Sequence, residues 1–95
     1  MQQIDAKKFE KYYSMTEMAL KKARSASESV SLKNARTEFI DTVEGYLSDA
    51  KHFFDKCDYV NAFAAVNYAH GWLDAGARIG LWVVKDSKLF AVDEE

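Results

Sequence analysis

The stretch DKCDYVNAFAAVNYAHGWLDAGARIG, residues 55–80, decides the fold, because it joins a tight turn to the most apolar helix of the chain. DKCDY predicts the turn, with Asp58 as the N-cap of a helix that begins at Tyr59 and runs to about Leu81. Apolar side chains surround most of this helix, which is typical of a helix that is largely buried.

Two further helices precede the turn, because apolar side chains recur there at alternating spacings of three and four residues. The pattern predicts a first helix over residues 4–27 and a second over residues 32–56. A serine-rich segment, SASESVSL (25–32), separates them, and Ser29 or Ser31 is the expected N-cap of the second helix. Two adjacent apolar stripes on the second helix are typical of a helix that packs against two neighbours.

The segment after the third helix, residues 82–95, has two short apolar runs around Lys-Asp-Ser-Lys. These runs predict a small hairpin or an extended tail laid over the helices. The length of 95 residues suits one domain. We therefore expect residues 1–95 to form a single all-α domain, an up-and-down three-helix bundle with a short extended C-terminal segment or hairpin.

Three glycines lie in the third predicted helix, where each costs roughly 1 kcal/mol relative to alanine. If the second and third helices fold back at residues 57–58, Gly45 lies level with Gly71. Glycines at one level allow two backbones to approach closely, which increases dispersion contacts. Gly45, Gly71 and Gly76 are therefore expected to mediate close helix packing, and Gly80 is expected to end the helix in a left-handed conformation.

The same register brings polar side chains of the two helices together. Glu44 is expected near His70, whereas Asp41 or Glu38 is expected near Asp74 and Arg78. A histidine with a carboxylate partner can act as a general base. The simpler interpretation is a core histidine whose hydrogen bonds are satisfied. The expected network comprises His70, Asp74, Arg78, Glu44 and Asp41.

No residue pattern indicates catalysis, a cofactor or a metal ion. Asp49, His52 and Asp55 share one helix side, but the second carboxylate-x-x-His element of a di-metal bundle is missing. Cys57 lies at the turn, about 20 Å along the helix from His70 at 1.5 Å per residue. We therefore expect no catalytic, cofactor-binding or metal-binding residues, and we expect that the chain is not an enzyme.

Charge is distributed unevenly along the chain. Residues 1–36 contain eight Lys or Arg and four Asp or Glu, a net charge of +4, whereas residues 37–95 contain five and eleven, a net charge of −6. Attraction between solvated helix faces explains this pattern. A basic first helix that binds nucleic acid or a nucleotide is the alternative, and its candidate residues are Lys7, Lys8, Lys11, Lys21, Lys22 and Arg24.

The stretch YLSDAKHFFDKCDYVNAFAAVNYAHGWLDAGARIGL, residues 46–81, resembles a family of short archaeal proteins known as domain of unknown function three-five-seven. The resemblance rests on the words DAKHF (49–53), DYVNAFAA (58–65) and YAHGWLDAG (68–76). It implies an up-and-down three-helix bundle in an archaeal, cytosolic protein with no established activity. The family is expected to have glycine where this chain has Cys57, which implies a left-handed residue at the turn.

These observations favour a non-enzymatic protein-interaction or scaffold module that self-associates. The chain has many large aromatic side chains for its length, and exposed aromatics on a small bundle are typical of protein contacts. A single cysteine excludes an internal disulfide and fits a cytoplasmic location. No apolar run approaches 18 residues, so no membrane partner is expected.

Overall fold

The computed structural model describes residues 4–92, which form an up-and-down bundle of three α-helices. The helices are α1 (Ala6–Ser25), α2 (Ala35–Asp55) and α3 (Tyr59–Ile79). Helix α3 packs against both α1 and α2, whereas α1 and α2 contact each other much less. The helix between two neighbours is therefore α3 and not, as the double apolar stripe suggested, α2. No helix within residues 4–92 has the length and apolar character needed to cross a membrane.

The helices begin at different kinds of N-cap. Asp58 caps α3 as predicted, since its carboxylate accepts a hydrogen bond from the Asn61 amide. The predicted serine cap of α2 is wrong: α2 begins after Asn34, which is left-handed (φ 65°) and makes no side-chain cap hydrogen bond. The serine segment contacts the end of α3 instead, because the Ser29 amide donates to the Gly80 carbonyl at 2.9 Å.

Both turns that bound α3 contain a left-handed residue. Cys57 has φ 60°, as implied by the glycine expected at this position. Gly80 ends α3 with φ 89°, which confirms the predicted glycine cap. The α2–α3 turn therefore places an L side chain in a conformation that favours glycine.

The segment after α3 lies over the bundle as a tail that is extended up to Asp86 and then turns, since the Leu89 and Phe90 amides donate to the Asp86 carbonyl. Residues 4–92 contain no strand, so the hairpin alternative is wrong. Its apolar side chains complete the core, with Leu81, Trp82, Leu89 and Phe90 all buried. The Trp82 indole N–H donates to the Leu73 carbonyl at 2.9 Å. Residues 93–95 of the predicted tail lie outside the described residues.

The glycines do not act together as predicted. Gly45 and Gly71 are exposed, and a Cβ at either position would meet no atom within 4 Å, so close packing through this pair is wrong. Gly76 is buried, and a Cβ there would lie 2.6 Å from both Cε2 and Cη2 of Trp82. Gly76 therefore admits the tail and not a neighbouring helix.

Arg36, near the start of α2, holds the α1 end and the tail together. Its Nη2 donates to the carbonyls of Ala23 and Ala26 at 3.0 and 2.7 Å, and its Nη1 donates to the Leu81 carbonyl at 2.8 Å. The last carbonyls of a helix lack intrahelical partners. The Arg36 guanidinium supplies partners for Ala23 and Ala26, and the Ser25 hydroxyl donates to the Lys22 carbonyl at 3.2 Å.

Candidate functional site

His70 joins three parts of the fold. Its Nε2 lies 2.6 Å from the Leu89 carbonyl oxygen in the tail, and its Nδ1 lies 3.0 Å from Thr16 Oγ1 in α1. Thr16 is only 1% exposed. The imidazole therefore bridges α1, α3 and the tail at the centre of the predicted polar network.

The partners of His70 decide what its ring can do. A carbonyl oxygen only accepts, so Nε2 carries a proton and donates to Leu89. The single hydroxyl proton of Thr16 is shared between Nδ1 and the Tyr12 carbonyl, which lies 2.9 Å from Oγ1. Asp74 Oδ1 lies 3.8 Å from the same Nε2. The bond to Leu89 does not depend on which of its two acceptors the Thr16 hydroxyl faces.

The tail backbone is the common partner of the network. Asp74 Oδ1 accepts from the Ala91 amide at 2.8 Å, and Arg78 Nη2 donates to the Ala91 carbonyl at 3.4 Å. With the His70 bond to Leu89, three side chains of α3 bind the backbone of residues 89–91. The structure thus brings His70, Asp74 and Arg78 together at the tail.

The predicted members from α2 do not join this network. Glu44 pairs with Arg24 of α1 at 2.5 Å, and Asp41 is exposed on α2. The physical reason is competition between partners: Arg24 of α1 pairs with Glu44, whereas Thr16 of α1 and Leu89 of the tail occupy both ring nitrogens of His70. The expected contact between Glu44 and His70 is therefore wrong.

A cavity of about 320 Å³ opens beside His70, between α1 and α3. The residues that line it are Tyr12, Met15, Thr16, Val66, Asn67, His70, Gly71 and Asp74. The hydroxyl next to the imidazole belongs to buried Thr16, and both ring nitrogens of His70 have partners. The arrangement therefore anchors the tail.

The remaining polar candidates lie on the surface. Asp49, His52 and Asp55 are all exposed. No group of three or more His, Cys, Asp or Glu side chains in residues 4–92 is arranged to hold a metal ion.

Most of the basic side chains proposed for nucleic-acid binding have partners within the chain. Lys22 pairs with Asp86 of the tail at 2.7 Å, and Arg24 pairs with Glu44. The hydrogen bond from Lys22 holds the pKa of Asp86 below its usual value of 3.8. Two more lie over aromatic rings, with ammonium-to-centroid distances of 5.2 Å for Lys8 over Phe63 and 5.6 Å for Lys11 over Tyr12. Lys7 and Lys21 are exposed.

The outer face of α3 carries a second cavity of about 310 Å³, which we call the α2–α3 groove. Its lining residues are Phe39, Asn67, Tyr68, Gly71, Trp72 and Ala75. Tyr68 is 63% exposed, whereas every other Phe, Trp and Tyr of residues 4–92 is buried or half-buried. The groove combines apolar walls with open access, as binding sites for apolar groups do.

Ring contacts hold the aromatic walls of the α2–α3 groove in place. Tyr68 stacks on Tyr46 of α2, with ring centroids 5.4 Å apart and planes at 22°. Trp72 meets Phe39 edge to face, with centroids 4.8 Å apart. These pairs join α2 to α3 and fix the orientation of the rings that face the groove.

Gly71 connects the two cavities on either side of α3. Both Gly71 and Asn67 line the α2–α3 groove and also the cavity beside His70. Because Gly71 has no side chain and open space lies above it, the surface of α3 is low at this point. Gly71, predicted as a helix-packing residue, thus forms a shallow depression on the outer surface of α3, which we call the saddle.

Comparison with known proteins identifies a family but no relative of known activity. A family model described as "Protein of unknown function (DUF357)" matches residues 11–82, which is 72 of the 95 residues. No curated protein and no solved structure matches the chain. The match ends at Trp82, so it includes the α2–α3 groove and Gly76 but not the tail residues that bind His70 and Asp74.

Proposed function

We propose that this chain, which belongs to the DUF357 family of proteins of unknown function, is a non-enzymatic protein-interaction module. The observation that supports this function best is the exposure of Tyr68 beside an apolar groove on the outer face of α3. Tyrosine and tryptophan are enriched among the residues that dominate binding energy at protein interfaces.

The geometry of the α2–α3 groove suits binding without rearrangement. Tyr68 and Trp72 are held by Tyr46 and Phe39, so few rotamers are lost when a partner covers them. Each immobilised side chain otherwise costs about 0.5–1.5 kcal/mol on association. Rings that are already ordered leave more of the burial energy available for affinity.

The polar network supports a role without catalysis. His70, the strongest candidate base, has both ring nitrogens engaged, and its Nε2 donates to the tail. Asp74 accepts from the Ala91 amide. The groups that resemble a reactive pair in the sequence are therefore engaged in holding residues 89–91.

Affinity capture with paired baits tests this function. Wild-type chain and the Tyr68→Lys variant are used to capture proteins from a lysate of the source organism, and light scattering of both measures self-association. Tyr68→Lys removes the stack on Tyr46, so it is expected to lower the free energy of unfolding by no more than about 1.5 kcal/mol and to leave the chain folded. We expect at least one protein, or a second copy of the chain, to be retained by the wild type and lost with the variant. The same capture profile and the same mass for both baits contradict the proposal.

Nucleic-acid binding through α1 is the second candidate, and its support is the exposure of Lys7 and Lys21. It is weaker because Lys22 and Arg24 already pair with carboxylates. A gel shift at low salt that disappears with rising salt is the expected signature of phosphate contacts. We also propose a cytoplasmic location, since Cys57 is a free, exposed thiol that suits a reducing compartment.

A further inference from the structure

We propose that the α2–α3 groove binds an amphipathic helix that carries basic side chains on the side that faces α2. The inference rests on the proposed function and adds the class of partner. Its basis is the shape of the surface at Gly71 and the charge of the α2 edge that borders the groove.

The outer surface of α3 is low enough for a helix to lie against it. Gly71 and Ala75 line the groove, and Ala64 lies seven residues before Gly71 on the same side of the helix. Gly71 costs roughly 1 kcal/mol in a helix, and a Cβ there would touch nothing within 4 Å, so no contact within the chain requires it. A partner backbone that crosses α3 at this saddle supplies such a contact. Helices that bind in grooves insert apolar anchors at i, i+3 or i+4, and i+7.

Negative charge borders the groove on its α2 side. Glu38 and Asp49 are exposed, and they lie with Thr42 and Gly45 at helical spacing along the edge of α2 beside Phe39 and Tyr46. Helix α2 (Ala35–Asp55) contains five acidic and two basic residues and has a net charge of −3.

Neither basic residue of α2 neutralises this edge. Arg36 donates to backbone carbonyls at the end of α1 and to Leu81. Lys51 lies over the Tyr13 ring of α1, 5.9 Å from its centroid. The edge of α2 along the groove therefore attracts basic side chains, and complementary charge selects partners as well as speeding association.

A second copy of the chain fits this surface less well, for reasons of symmetry. In a two-fold dimer that pairs the outer faces with α3 antiparallel, acidic α2 lies over acidic α2 of the other copy. With α3 parallel, Arg78, seven residues after Gly71 on the same side, lies over its own equivalent. Both arrangements oppose like charges, which costs affinity. The geometry therefore favours a different, basic chain.

Two synthetic helical peptides of 18 residues test the proposal with the full chain. Both carry the same Leu and Trp stripe, and their polar faces carry Lys in one peptide and Glu in the other. Fluorescence anisotropy of the labelled peptides measures affinity at low and high salt. We expect the Lys peptide to bind about 10-fold more tightly at low salt, with a smaller difference at high salt.

Matched variants locate the binding surface. Gly71→Leu is expected to weaken the Lys peptide at least about 10-fold, whereas Ser14→Leu, at an exposed position of α1 that does not line the groove, is expected to leave it unchanged. Combined Glu38→Lys and Asp49→Lys is expected to reverse the peptide preference. Glu10→Lys on α1 is the charge control.

Each other outcome overturns the inference in a distinct way. Equal or tighter binding of the Glu peptide overturns the charge argument and leaves the proposed interaction function standing. A dimer of the wild-type chain that Gly71→Leu dissociates identifies a second copy as the occupant. Failure of both peptides to bind up to about 1 mM, a ΔG of about −4 kcal/mol, rejects a helix in this groove. The proposed function itself fails only when the Tyr68→Lys bait captures what the wild type captures.

Discussion

Substitution of Gly76 by alanine is expected to destabilise the fold, although alanine favours helices. A Cβ at Gly76 overlaps the six-membered ring of Trp82, which is fully buried and donates to the Leu73 carbonyl at 2.9 Å. The ring is rigid and enclosed, so it cannot rotate a flexible end away from the new methyl group. The indole must move as a whole, and the tail that carries it must move too.

The magnitude follows from three effects at this site. Overpacking of a core costs about 1–3 kcal/mol. A stretched or broken hydrogen bond from the buried indole costs about 1–3 kcal/mol more. The higher helix propensity of alanine offsets about 1 kcal/mol of this loss of stability. Gly76→Ala should therefore reduce the free energy of unfolding by about 1–5 kcal/mol, and each kcal/mol lowers the Tm of a domain of this size by about 4–8 °C.

The same substitution at the two exposed glycines provides the control. At Gly45 and Gly71 a Cβ meets nothing, so alanine is expected to raise the free energy of unfolding by about 0.5–1 kcal/mol. Urea and thermal unfolding, followed by circular dichroism at 222 nm, compare all three variants with the wild type. If Gly76→Ala is as stable as Gly45→Ala, the account of Trp82 packing against α3 is refuted.

Three further predictions concern the helix ends and the tail. Arg36→Met is expected to lower the free energy of unfolding by about 2–4 kcal/mol in urea, because several carbonyls lose their donor. Cys57→Gly should raise it by about 0.5–1 kcal/mol, because glycine adopts φ 60° without strain and the side chain is exposed; an unchanged urea midpoint contradicts this. Lys22 depresses the pKa of Asp86, so the stabilisation is present above about pH 3.8 and is lost as the pH falls through the lower folded pKa. Asp86→Asn should therefore be less stable than the wild type at pH 6, with a difference that narrows towards pH 2 in urea titrations.

For the α2–α3 hairpin, the sequence predicts the position of a residue along the helix axis better than the side of the helix on which it lies. Residues at equal distance from the turn at Cys57 do lie side by side, as the stacking of Tyr46 on Tyr68 shows. Gly45 and Gly71 are nearly as far from the turn as each other, but both are exposed. An apolar stripe fixes which side of a helix is buried. Because α3 is apolar around most of its circumference, its sequence indicates only weakly which side is buried. A glycine adds no information, since it has no side chain that is either apolar or polar.

The role of Arg36 was missed because the serine segment offered a simpler explanation of the α1–α2 connection. Serines are common caps, yet here Ser29 contacts the end of α3 and Asn34 precedes α2. One signal was available: α1 ends without a glycine, so its last carbonyls need a donor from elsewhere. Arg36 is the first arginine after that end, and its five donors suit several carbonyls at once.

The two sides of α3 differ in what their side chains contact within the chain. On the α1 side, His70 and Asp74 lie under the tail, and their hydrogen bonds to its backbone satisfy groups that would otherwise lack partners. On the α2 side, Tyr68 remains exposed and Gly71 lowers helix stability without a contact that requires it. No contact within 4 Å offsets the cost of Gly71, and the stack on Tyr46 leaves Tyr68 exposed. These two features, and not the titratable groups, therefore support the α2–α3 groove as the binding surface that we propose.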